Sequence, residues 1–566
     1  MNARGIYLLG IVWGFGAGLC HAAEPEAVPL TVSGPTIALP PMVVNDTAGS
    51  TVWLYASVQG DEYLSSCSAR TTQKYIESDQ RLLRELGALV PEEFLAKLPS
   101  ITLLADPTVA PKANDAVAAE VLGSGKSQPL VGARPGRVHY LASLSLDGRD
   151  VSALFLYLDK DELDQRKLLL TADDLRFRLE RRTPMLPPWL VEGILALYAR
   201  RDTGETAYVF PPIRWLSAQE SAAIARDPAR PRSLLPAAEM FAPDALRGEG
   251  NRHPLRVRTL QCQVELFVRW ALDPRNGMRD AFWNFARRAG EERVTGEMFQ
   301  QCFGFGFSDL RDRLNDYLPI ALQEPLRLPA RKAAPFSIPE VRKAERPEIL
   351  RLRGEWERLE IGYVQRTQPA FAPRYIEQAR RTIANAYQEG GRDPRLLAAI
   401  GLCEVDAGHA ADGQRSLEQA IAAGANTPRA YHEVARFRFG QLLRDQPSNR
   451  LFTANEIAAI VEPLRKATAF TPELPEVFGL LADAWTRCRE TPPAGDVEAL
   501  VHGAKSFALN PTVSYRLALA LARAGRRAEA RELLTTGIEY VADDANRARF
   551  AQLHAALSTG ASASGP

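Results

Sequence analysis

The sequence predicts an α+β N-terminal domain, a small sheet plus a mostly helical remainder, followed by an all-α helical repeat domain. Three observations predict it. Strand-like alternation is confined to residues before about 160, helical spacing dominates afterwards, and similar units of small and apolar residues recur from about Tyr375 to His554. A length of 566 residues allows two to four domains, and 46% hydrophobic content is enough to pack their cores. A formal net charge of +1 gives no global attraction to nucleic acid or to an anionic membrane, so neither is an expected partner.

Residues 1–23 read as a signal peptide. Arg4 supplies the positive charge, Ile6 to Leu19 is apolar apart from glycines, and the small residues near Cys20-His21-Ala22-Ala23 offer a cleavage point. The apolar run is too short to span a bilayer, and no later segment reaches about 18 unbroken apolar residues. A secreted or periplasmic protein with no membrane span in the mature chain is expected. Leu19 is bulky where a lipoprotein signal places a small residue before its cysteine. Removing the leader leaves Cys67, Cys262, Cys302, Cys403 and Cys488, far apart and without a C-x-x-C pair. They read as packing residues rather than a cysteine metal site.

Proline- and valine-rich residues 24–45 predict an extended arm, and 46–324 the α+β domain. Within it, Thr51 to Ala56 alternates as a strand, Gln73 to Leu89 has helical spacing, and Ile101 to Leu104 is a second strand. Residues 107–135 are loop-like. Val138 to Leu146 and Val151 to Leu158 predict a hairpin turning at Asp147-Gly148. Helices follow over Asp161–Arg182, Pro188–Arg201, Thr259–Leu272, Met278–Ala289 and Ser308–Leu318. Pro325, Pro329, Pro335 and Pro339 mark a Pro-rich linker over 325–345. Beyond it, Ile349, Leu352, Trp356, Leu359 and Tyr363 form an apolar stripe, with Arg351, Arg353, Glu355 and Glu357 on a face expected to be solvated.

Helical repeats are expected over 346–556, with a flexible tail at 557–566. One unit carries Leu397, Ile400, Gly401, Gly408, Gly413, Leu417 and Ala420; another carries Phe478, Leu481, Ala482 and Trp485. A third carries Leu517, Ala518, Leu521, Gly525, Ala530, Leu534 and Gly537. This pattern resembles tetratricopeptide repeats, in which small residues let paired helices approach. Pro428, Pro472 and Pro511 stand farther apart than the usual repeat, so insertions are expected.

Leu186-Pro187-Pro188-Trp189-Leu190-Val191-Glu192-Gly193-Ile194-Leu195-Ala196 resembles the P-x-W-L-x-E-G-x-A segment of gluzincin, peptidase-MA-like zinc peptidases. Phe303-Gly304-Phe305-Gly306-Phe307 with Asp309, Leu310 and Tyr317 is similar to that family's closing helix. The resemblance implies a zinc site of H-E-x-x-H plus a downstream Glu. Its spacing puts Ala172-Asp173-Asp174-Leu175-Arg176 where the histidines belong. Ala172 cannot coordinate a metal, and the Arg176 guanidinium stays protonated and repels one. Only Glu192 matches a ligand, and Asp173 stands shortened at the general-base position. His139 and His253 lie outside the motif. The expectation is a degenerate peptidase domain with no catalytic residues, no metal and no cofactor. Arg176 is expected to pair with Glu192 or Asp173 in place of the metal, the alternative being an Arg176 that points to solvent. A hard cation held by Asp173, Asp174 and Glu192 is a weaker reading.

Other motifs carry less. Gly123-Ser124-Gly125-Lys126-Ser127 has Glu120 where a phosphate-binding loop needs its first glycine. Arg226 to Arg232 is broken by Pro228 and Pro231 and lacks stacking aromatics. The expected function is a non-catalytic scaffold that binds a protein or peptide partner through its repeats. The alternatives are an active zinc metallopeptidase with an atypical metal site and a structural component of the cell envelope.

Overall fold

The computed structural model describes residues 37–40, 52–96, 98–106, 138–140, 143–158, 172–198, 202–203, 207–216, 234–242, 254–329, 339–445 and 450–559. The signal peptide, most of the arm, the loop 107–135 with Gly123 to Ser127, residues 161–171 of the helix predicted there, Arg226 to Arg232, His253, Pro335 and residues 560–566 of the tail lie outside them; Leu557 and Ser558 are helical.

Eleven strands are described. Strands β1 (Ile37–Leu39), β2 (Leu54–Val58), β3 (Asp61–Ser65) and β4 (Ser100–Ala105) come first, with helix α1 (Ala69–Leu89) between β3 and β4. Strands β5 (Val138–Tyr140), β6 (Ser143–Asp147) and β7 (Ser152–Tyr157) follow. Helices α2 (Ala172–Glu180) and α3 (Pro188–Tyr198) precede β8 (Asp202–Thr203) and β9 (Ala207–Phe210). Next come α4 (Ala237–Met240), α5 (Pro254–Leu272), α6 (Arg279–Glu291), α7 (Gly296–Phe303) and α8 (Phe307–Gln323). Strands β10 (Leu326–Pro329) and β11 (Arg342–Lys343) complete the sheets.

The main sheet has the order β11-β2-β3-β4-β7-β6, parallel only across β3-β4-β7. Its central strands are buried on both faces, which requires a helix on each. Ala56, Tyr63 and Leu104 pack with Tyr75 and Ile76 of α1 on one face. On the other, Leu64, Leu103 and Phe155 pack with Leu352 and Trp356 of α9 (Arg346–Thr367). The helix expected to open the repeats is therefore a layer of the sheet domain as well. Its charged face is buried, which corrects the solvated face expected for it. Arg351, Arg353, Glu357 and Arg358 are all buried because sheet and helices enclose α9. Arg351 reaches Glu62 of β3 at 3.1 Å, and Arg358 reaches Asp406 at 2.7 Å.

The expected linker, 325–345, carries a strand at each end. In β10, Leu326 and Leu328 are buried while Arg327 and Pro329 are exposed, and the strand pairs with β9. β11 extends the main sheet beside β2. The predicted strand over Val138 to Leu146 also serves two sheets: β5 pairs with β1, whereas β6 forms the expected hairpin with β7.

The C-terminal region is a stack of helices. α10 (Ala372–Gln388) packs on α9, and α11 (Pro394–Asp406) pairs with α12 (Ala410–Ala422). The stack continues through α13 (Pro428–Arg444), α14 (Ala454–Ala467), α15 (Pro475–Thr486), α16 (Ala494–Ser506), α17 (Pro511–Arg523), α18 (Arg527–Gly537) and α19 (Asp544–Ser558). Pro394, Pro428, Pro475 and Pro511 each take the first position of a helix, where the missing N–H costs nothing. Each of α11, α13, α15 and α17 also packs against the next of that set. The expected role of small residues is visible at α11–α12. A Cβ on Gly413 would stand 2.4 Å from the Gly401 carbonyl oxygen, so only glycine permits that approach. Among the described residues, no helix is long and apolar enough to cross a membrane.

Candidate functional site

The site named by the sequence lies between α2 and α3. Pro188 starts α3, and Trp189 anchors it in a ring cluster with Phe241, Phe267, Phe282 and Phe285. Gly193 lets α3 sit close on α5, since a Cβ there would stand 2.5 Å from a Val268 methyl. Leu175 and Leu179 bury one face of α2 in the same core. With both helices fixed by their apolar faces, Arg176 and Glu192 are left facing each other.

They form a two-point fork. Nη1 of Arg176 donates to Oε1 of Glu192 at 2.6 Å and Nη2 to Oε2 at 3.2 Å. Nη1 also donates to Glu180, one turn along α2, at 3.3 Å. The Arg176 side chain is 40% exposed and Glu192 32%, so the pair is partly open to water. Burial opposes the Arg176 charge, but the hydrogen bond and charge of Glu192, together with Glu180, outweigh it and raise its proton affinity. Burial raises the pKa of Glu180, against the pull of Arg176.

Among the described side chains, Arg176 and Glu192 do not make a zinc donor set. Both Glu192 oxygens already face a permanent cation that cannot act as a ligand. Ala172 and Asp173 lie in α2, but their side chains are outside the described residues, as is that of Asp174. The sequence offered Glu192 or Asp173 as the partner of Arg176; Glu192 is a partner, and the Asp173 side chain is outside the described residues. His139 lies in β5, paired with Ala38 of β1.

Two other clusters and two buried thiols bear on chemistry. Glu404, His409 and Asp412 each place one ligand atom within 4.8 Å of the others. Arg380 engages both Glu404 oxygens at 2.7 Å, which occupies that carboxylate. Ser506, His502 and Glu473 also meet. Yet Nε2 of His502 is the atom near both partners, 2.6 Å from Glu473 and 3.4 Å from Ser506. A relay needs one ring nitrogen for the serine and the other for the acid, so this geometry does not activate a nucleophile. Burial pushes the thiols of Cys403 and Cys488 up to about 12 and about 11, which keeps them protonated and unreactive. Sequence reading named neither cluster as a site: Glu473 stands far along the chain from His502 and Ser506, which lie one turn apart on α16, and Glu404, His409 and Asp412 match no metal-binding motif. No protein-family model matches the chain, and none of the curated proteins compared with it does.

Proposed function

We propose that this chain is a non-catalytic interaction protein that works outside the cytoplasm. In this reading it has a degenerate peptidase-MA-like domain and a tetratricopeptide-like array that binds a protein or peptide. The observation that carries the non-catalytic half is the fork of Arg176 on Glu192. A fixed guanidinium where the family's metal belongs supplies a positive charge to hold the carboxylate but no Lewis-acid orbital and no bound water to activate. The helix stack supports the binding half, since stacked pairs expose long surfaces of side chains to a partner.

Elemental analysis of the purified full chain, combined with a peptide-cleavage assay, tests the reading. The expected result is substoichiometric zinc and no cleavage, unchanged in Glu192→Ala. Stoichiometric zinc lost together with activity in Glu192→Ala would establish the metallopeptidase alternative. Binding assays belong on the full chain, because α9 is shared between sheet and stack.

A further inference from the structure

The turn between β6 and β7 is driven into the helix stack. Its backbone closes through Gly148 N–H to the Val151 carbonyl at 2.9 Å. It lies so tightly on α9 that a Cβ at Gly148 would stand 2.9 Å from a Leu359 methyl. Arg149 then reaches two helices of the stack. Its Nη1 is 3.3 Å from Glu476 of α15 and 3.7 Å from the buried Glu433 of α13. Asp150, 5% exposed, lies within the charge field of Arg358 of α9, Arg429 of α13 and Glu355, where both arginines also bond Asp406. Arg429 is the second residue of α13, whose N-cap Thr427 makes no side-chain cap. Burial raises the pKa of Asp150, against the pull of Arg358, Arg429 and the first turn of α13, so the turn sets its carboxylate near an uncapped helix N-terminus without forming a cap.

The fit is imperfect in an informative way. Both Asp150 oxygens, Nε of Arg358, Nε of Arg429 and Nδ1 of His432 are buried without a well-formed hydrogen bond among the described residues. Groups left in that state make a contact weaker than its charge suggests. A basic side chain followed at once by an acidic one thus meets separate acidic and basic groups of the stack.

We propose that this surface, formed by α9, α13 and α15, is the peptide-docking site of the stack, and that the Gly148-Arg149-Asp150 turn occupies it in cis as a releasable pseudo-ligand. The ligand class it fits is a tight turn carrying an arginine followed by an aspartate. The proposal rests on the interaction-protein reading above.

The probe is a fluorescent cyclic peptide carrying the Leu146–Val151 sequence. It is titrated against the full chain and against the full-chain variant Arg149→Ser/Asp150→Asn. An occupied site is reduced in apparent affinity by the fraction of time it is open. The variant is therefore expected to bind the probe at least about tenfold more tightly than the parent. Adding Glu476→Gln is expected to weaken that binding again. Equal affinity for parent and variant, or no binding to a variant with a native circular-dichroism spectrum, overturns the proposal. Should the variant fail to fold, hydrogen exchange on the parent decides. A releasable turn exchanges together with the first turn of α13 and well before β4, whereas exchange at the rate of β4 overturns it. Zinc content does not depend on this turn, so failure here with the zinc result intact removes the cis-ligand and spares the non-catalytic reading.

Discussion

Truncating Trp356 measures how far sheet and helix stack are one folding unit. The indole is fully buried on α9, 5.7 Å from the Phe155 ring of β7, and its Nε1 donates to the buried Glu360 at 2.7 Å. Trp356→Ala removes that packing, at about 3–5 kcal/mol for a buried aromatic cut to alanine. It also strips Glu360 of its donor, adding about 1–3 kcal/mol. A loss of about 5 kcal/mol is comparable with the whole stability of many domains. Trp356→Phe keeps a ring against Phe155 and isolates the lost hydrogen bond, at about 2 kcal/mol. Urea unfolding followed by hydrogen exchange at β4 and at α13 reads both effects. Protection should fall at both places together. A loss under about 1 kcal/mol, or a loss confined to α13, would refute the claim that α9 belongs to both regions.

Three further outcomes follow from named contacts. Gly413→Ala should destabilise the chain by about 2 kcal/mol despite alanine's better helix propensity, because its methyl meets the Gly401 carbonyl; a thermal melt at or above the parent's would contradict this. Glu433 has its pKa lowered from 4.5 to about 2, burial opposing the shift while His432, Arg436 and Arg429 drive it. With the folded value depressed, its stabilisation is complete above 4.5 and is lost as pH falls through about 2, a change of about 3 kcal/mol. Glu433→Gln should flatten that limb of the stability–pH curve; an unchanged slope counts against the assignment. Arg176→Met should cost about 1 kcal/mol in urea melts, since the pair is part-exposed, and Arg176→Met/Glu192→Met should recover most of it; strict additivity would mean the two are not coupled.

What the sequence made legible is local. The hairpin at Asp147-Gly148, the helices around Trp189 and the glycine approach at Gly401–Gly413 rest on spacing, turn chemistry or small residues within short windows. The Arg176–Glu192 fork was readable because both partners sit on helices whose spacing a motif supplied. β3 was not readable, since Asp61 and Glu62 disguise a buried strand. Ser100 donates to Asp61 at 2.7 Å, and Arg351, almost three hundred residues along, answers Glu62. The same distance hid the burial of the charged face of α9, because charges look solvated until their partners are known. The alternation of Leu326-Arg327-Leu328 could have revealed β10, but the flanking prolines argued for a linker.

In the proposed reading, the Arg176 guanidinium stands where the metal of a peptidase-MA-like site would. Rebuilding the histidines tests it most directly, by zinc titration calorimetry of the full-length Ala172→His/Arg176→His variant beside the parent. One zinc bound per chain is expected in the variant, dependent on Glu192, and none in the parent. Tight stoichiometric zinc in the parent, or none in a folded variant, would contradict it.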